Sequence, residues 1–132
     1  MQKFKDVEQA FFNCQDKGCA SSLVRAYTGN EALVSLHNTQ GIYLEISDSS
    51  KDIMGLTEAE LIGTSAYDYF HPDDFQNVLK SHARITIRPD VGQVSYRLYN
   101  GANGYIKVDT LSKKVSSKSG EEFILAFTFK RE

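Results

Sequence analysis

The chain has 132 residues, enough for one domain with a single continuous core and too few for two. Charged residues make up 24% and the formal net charge is -2, which excludes the basic field of a nucleic-acid binder and leaves no acidic tail. No apolar run approaches the roughly 18 residues of a membrane span and no signal-peptide core opens the chain, so the expectation is a cytoplasmic protein with neither a nucleic-acid nor a membrane partner.

Residues 3–13 place Phe4, Val7, Phe11 and Phe12 at helical spacing with Lys5, Asp6, Glu8 and Gln9 opposite, which predicts an amphipathic helix. Cys14 and Cys19, spaced Cys-x4-Cys, have no histidine nearby to complete a zinc set. They read as two unlinked thiols of a reducing compartment, with a regulatory disulfide as the alternative. Residues 18–30 are small and polar and read as a connector with one helical turn at Ser22–Ala26. The division expected is therefore 1–30 as helix and connector, and 31–132 as the main domain.

Ala32–His37 reads as a strand, Asn38-Thr39-Gln40-Gly41 as a hairpin turn, and Ile42–Ile46 as a second strand. Asp48 or Ser49 is expected to cap a short helix carrying Ile53 and Met54, with Gly55 as its left-handed end. Thr57 and Glu60 form a capping box, Leu61 and Ile62 the apolar side, and Gly63 the end of a second short helix. Each is expected to run about eight residues, and isolated helices under roughly 12 are marginal in water, so both must lean on a sheet.

Pro72-Asp73-Asp74 opens the longest helix, with Phe75, Val78, Leu79, His82 and Ile85 along one face. Three strands follow at Gln93–Tyr99, Gly104–Leu111 and Phe123–Lys130, joined by hairpin-type turns and therefore antiparallel. Lys113, Lys114 and Lys118 read as a solvated turn between the last two. Phe123, Leu125, Phe127 and Phe129 alternate with Ile124, Ala126 and Thr128, so both faces of the sheet need cover. The N-terminal helix can cover the second face from within the chain or from a partner. In the partner case Phe4, Val7, Phe11 and Phe12 are the interface candidates of a homodimer.

The order of elements, with Gly41-x-Tyr43, Ile53-Met54-Gly55-Leu56-Thr57-x-x-Glu60-Leu61-Ile62-Gly63, His71-Pro72-Asp73-Asp74, Tyr96-Arg97-Leu98 and Gly104-Tyr105-Ile106-Lys107-Val108, resembles the PAS domain of bacterial type over residues 31–130. Lys107 and Ser47 depart from the aromatic residue and the asparagine frequent there. The resemblance implies an α+β fold: a cupped five-stranded antiparallel sheet with short helices and one longer helix on one face, plus the N-terminal amphipathic helix. It implies a sensor or interaction domain of a signal-transduction protein, binding a small ligand, dimerising, or both, to regulate an effector such as a histidine kinase or cyclase. Pocket candidates are Ile53, Phe70, Phe75, Leu79, His82, Tyr96, Leu98 and Ile106.

A haem sensor ligating iron through His82 is the alternative, and otherwise no metal and no particular cofactor is expected. A covalent flavin adduct is disfavoured because no cysteine lies in Thr64–Phe70, where the light-sensing branch carries one. An enzyme built on His37, His71, Asp73 and Asp74 is the rival class. There is no Gly-rich phosphate loop, nucleophile elbow or His-Glu-x-x-His motif, and Asp73 and Asp74 suit helix capping, so the domain is expected to be non-catalytic.

Overall fold

The computed structural model describes residues 4–87, 90–101 and 104–131, with the side chains of Phe4 and Lys5 outside that description. Two helices come first, α1 (Phe4–Asn13) and α2 (Lys17–Ala26). Strands β1 (Ala32–Asn38) and β2 (Tyr43–Ile46) follow, then α3 (Ser50–Met54), α4 (Glu58–Leu61), 3-10 turns at Ala66–Tyr69 and Pro72–Asp74, and α5 (Phe75–Ile87). Strands β3 (Gly92–Asn100), β4 (Gly104–Ser116) and β5 (Glu122–Lys130) end the chain. The sheet has the order β2-β1-β5-β4-β3, and every pairing is antiparallel.

The predicted punctuation is present where it is local. Thr57 and Glu60 close the capping box, and Gly55 stands in the left-handed region at φ 73°. The short helices are shorter than expected, five and four residues, because the glycines and the Thr57 cap leave each about one turn. Ser49 does not cap α3 with its side chain. Its hydroxyl donates to the Ala32 carbonyl at 2.6 Å and meets Ser47 Oγ at 2.7 Å, while Ser47 Oγ accepts from the Val34 N–H at 3.0 Å. These two serines fasten the start of α3 to the neighbouring strand.

Both faces of the sheet are covered by this chain. On the outer face Val7, Phe11, Ala20, Leu23 and Val24 of α1 and α2 pack with Val34, Leu36, Leu111, Val115, Leu125 and Phe127. On the inner face Ile53, Met54, Leu61, Ala66 and Val78 pack with Leu33, Tyr43, Ile46, Tyr96, Leu98 and Val108. Three expectations are corrected here. First, Val7 and Phe11 have no exposed surface within the monomer, so they are not free to form a homodimer seam; Phe12 is half exposed, and the side chain of Phe4 lies outside the described residues. The helix covers the sheet from within the chain because its apolar stripe and the outer face of β5 match each other.

Second, the connector is a full helix, α2, with Asp16 as N-cap accepting from the Cys19 N–H at 2.8 Å. Cys14 and Cys19 are joined in a disulfide, with their Cα atoms 5.7 Å apart, rather than standing as unlinked thiols. Third, β4 runs on to Ser116, and Lys113 and Lys114 belong to this strand rather than to a solvated turn. As neighbours in a strand they point to opposite faces. The Lys113 ammonium donates to the carbonyls of Phe11 (3.2 Å) and Phe12 (3.0 Å), and that of Lys114 to the Thr86 carbonyl (3.0 Å) while pairing with Glu122 at 2.9 Å. One strand thus places a positive charge against the negative C-terminal end of α1 on one face and of α5 on the other.

Candidate functional site

A cavity of about 70 Å³ lies between the inner face of the sheet and α5. Its origin is the strand register. Ser35 on β1 sits opposite Ala126 on β5, Ala126 opposite Ser112 on β4, and Ser112 opposite Gly92 on β3. A row of small residues therefore crosses four strands where bulky ones would fill the cup. Above it stand Val78, Ser81, His82 and Ile85 of α5, with Ile85 lying over the bare backbone of Gly92, where an added Cβ would come within 2.8 Å of its side chain.

The walls are more polar than a packed core requires. In the next row Leu33, Thr128, Thr110 and Val94 lie opposite one another, and the Tyr96 hydroxyl, Thr110 Oγ1 and Thr128 Oγ1 form a chain with both links at 2.8 Å. Burial raises the pKa of the Tyr96 phenol, partly offset by those threonine bonds, so it stays protonated and can donate. Ser35 Oγ lies 2.9 Å from His37 Nε2. Burial lowers the His37 imidazole to about 4, opposed by a bond to the Gly41 backbone and helped by the nearby His82. His37 is thus a neutral imidazole in the cavity wall at neutral pH.

Tyr67 closes the end near Gly41, whose φ of 87° and lack of a Cβ allow the tyrosine ring to pack on its backbone. The Tyr67 ring also meets Phe70, Phe75 and His82 with centroids 5.4, 5.5 and 5.7 Å away. Its hydroxyl is buried without a hydrogen-bond partner among the described residues, and burial raises its pKa.

Of the pocket candidates, Phe70, His82, Tyr96 and Leu98 line this cavity. Ile53, on α3, is fully buried in the inner core but does not line the cavity, and Ile106 packs at the margin of the same core. Phe75 and Leu79 are 38% and 40% exposed, because they fall on the side of α5 turned from the sheet. The polar residues Ser35, Thr110, Ser112 and Thr128, absent from the sequence candidates, line it as well, together with His37, which the sequence offered only for the rival acid-base set. Their signal lies in the inter-strand register and not in any local spacing.

The residues do not fit haem. His82 Nε2 lies 2.6 Å from the Thr39 carbonyl, which can only accept, so that nitrogen carries a proton and offers iron no lone pair. The cavity is also well below the roughly 300 Å³ at which pockets for drug-sized ligands begin. The acid-base set is not assembled either. His37 lies in the cavity wall, whereas His71 Nδ1 accepts from the Asp73 N–H at the start of α5. Asp74 accepts from the Arg97 N–H, Nε and Nη2 at 2.8–3.0 Å, which ties α5 to β3 and holds the Asp74 carboxyl below its usual range. Among the described residues no group of three or more potential metal-binding side chains occurs.

A cupped antiparallel sheet with a polar-walled inner cavity, closed by short helices and one longer helix, defines the class of small sensory and interaction modules. The family model described as PAS fold matches residues 43–128, and the chain belongs to that family. The circadian locomoter output cycles protein kaput of Spalax judaei is 30% identical over 83 residues, 54% of this chain and 10% of that protein. Protein cycle of Drosophila melanogaster is 31% identical over 78 residues, 58% of this chain and 19% of that protein. The chain thus matches a fifth or less of either relative.

Among solved structures, Drosophila melanogaster Cycle PAS-B with bound ethylene glycol superposes with a TM-score of 0.70 at 25% identity, covering 75% of this chain and 99% of that one. The N-terminal domain of a diguanylate cyclase with PAS/PAC sensor from Marinobacter aquaeolei gives 0.63 at 18% identity, covering 76% and 94%. The second likeness concerns the fold alone. The domain is a non-catalytic signalling module. No helix of the described residues is long and apolar enough to cross a membrane.

Proposed function

We propose that this domain is the sensory and interaction part of a cytoplasmic signalling protein, and that its cavity takes a small neutral molecule rich in hydrogen-bonding groups. The observation that carries this reading is the wall of Ser35, neutral His37, Tyr96, Thr110, Ser112 and Thr128 around about 70 Å³ of space. By the measure in which one water needs roughly 10–15 Å³, that space admits about five waters or one molecule of similar size. Donors and acceptors without net charge favour a polyol or a small amide over an ion, since a buried unpaired charge is costly. The structural relative solved with ethylene glycol is consistent with this class of guest. An occupied cavity would press on α5, and Lys114 links the end of α5 to β4 and so to the outer cover, biasing the contact with a protein partner. The half-exposed Phe75 and Leu79 on the outer side of α5 suit such a contact.

The test is an amide NMR titration with glycerol and with ethylene glycol, using Ala126→Leu to fill the small-residue row. Saturable shifts, on the order of millimolar, are expected at β1, β4, β5 and α5 in the native chain and not in the variant. Shifts scattered over the surface and equal in both proteins would remove the cavity reading.

A further inference from the structure

The outer cover of the sheet contains a disulfide. Cys14 immediately follows α1 and is fully buried in the outer core, and its N–H donates to the carbonyls of Ala10 (3.0 Å) and Phe11 (3.2 Å). Cys19 lies in the first turn of α2 and is exposed. The bond between them is the covalent link that fixes how the end of α1 meets the start of α2. Lys113 reaches the same point from the sheet. Its ammonium and the Cys14 N–H both donate to the Phe11 carbonyl. The last turn of α1 is therefore held by a disulfide and a lysine, and the helix buries Val7 and Phe11.

We propose that Cys14–Cys19 is a thiol-exchange site for a glutathione-type cellular thiol, and that its redox state locks or releases α1 from the outer face of the sheet. The exposure difference orders the chemistry. An external thiolate can reach only Cys19 Sγ, where it forms a mixed disulfide while the electron pair of the broken bond leaves on Cys14 Sγ, which then takes a proton. A second external thiolate attacks the outer sulfur of the mixed disulfide and frees Cys19, which is protonated in turn. Two external thiols become one disulfide, and the protein disulfide becomes two thiols. With the link open, α1 keeps only its non-covalent contacts, those of Val7, Ala10, Phe11 and Lys113 among the described residues, and is released more readily than the strands beneath it.

The intact chain is equilibrated across a series of reduced-to-oxidised glutathione ratios, quenched by alkylation, and read by mass spectrometry with peptide mapping. Hydrogen exchange is measured at the two ends of the series. The expected result is one transition in the folded protein, a transient glutathione adduct on Cys19, and exchange of the α1 amides faster by roughly tenfold or more in the reduced form, with β5 unchanged. A Cys19→Ser chain, which keeps only the buried Cys14, is expected to take no adduct while folded. A bond that yields only after denaturation, thiols alkylated at every ratio, an adduct on Cys14, or equal α1 exchange in both states would each overturn the proposal.

Discussion

Acidification should weaken this fold through His37, by an amount that follows from its burial. The imidazole titrates near 6.5 when solvated and near 4 in the folded chain, so between these values the unfolded chain binds the extra proton. The contribution of the neutral side chain is therefore complete above about pH 6.5 and is lost as pH falls toward 4. At pH 5 the linkage gives a loss of about 2 kcal/mol relative to neutral pH, and near pH 4 about 3 kcal/mol. His37→Gln keeps an amide within reach of Ser35 but does not titrate. Urea unfolding followed by circular dichroism, at several values from about pH 7 to pH 5, should show the native chain losing about 2 kcal/mol more than the variant. Any constant penalty of the substitution cancels, because only the difference in slope is compared. Parallel curves, within about 0.5 kcal/mol, would mean that His37 is not held neutral by the cavity wall, and the account of the site would fail with it.

Two further substitutions probe the ends of the same architecture. Lys113→Met removes the ammonium from the Phe11 and Phe12 carbonyls while keeping the aliphatic stem, and should cost about 1–3 kcal/mol with faster hydrogen exchange in α1; an unchanged melting temperature and unchanged exchange would count against the tether. Gly41→Ala puts a Cβ 2.8 Å from the Tyr67 ring at a backbone φ of 87°, and should destabilise by about 1–3 kcal/mol with chemical-shift changes at Tyr67 and His82. A neutral result would show that the ring does not rest on that glycine.

What could be read from the sequence was what neighbours in the chain decide. The Thr57–Glu60 box, the left-handed Gly55 and the alternation in Phe123–Lys130 are local patterns, and they located the short helices and the last strand. Only the last turn of helix α2 was legible, because Gly18, Ser21 and Ser22 mask its start, although Ala20, Leu23 and Val24 fall at helical spacing behind the Asp16 cap. Lys113 and Lys114 were misplaced because charge usually marks a surface, whereas here each serves the end of a different helix. Cavity residues were legible where α5 repeats at helical spacing, as at His82, and at Tyr96 and Leu98 of β3. The row Ser35, Ala126, Ser112, Gly92 is invisible along the chain, since its members come from four strands and meet only once the register is set.

That row also separates what the fold needs from what sets the volume of the cavity. The caps, the turn glycines and the outer core that hold the cup together lie elsewhere, so a change at Ser35, Ala126 or Ser112 alters the floor of the cavity, whereas Gly92, packed under Ile85, belongs to the frame. One descendant of this scaffold could gain a larger cavity, and another close it altogether, through single substitutions on different strands. Selection could explore those outcomes independently, because each position contributes its own share of the volume.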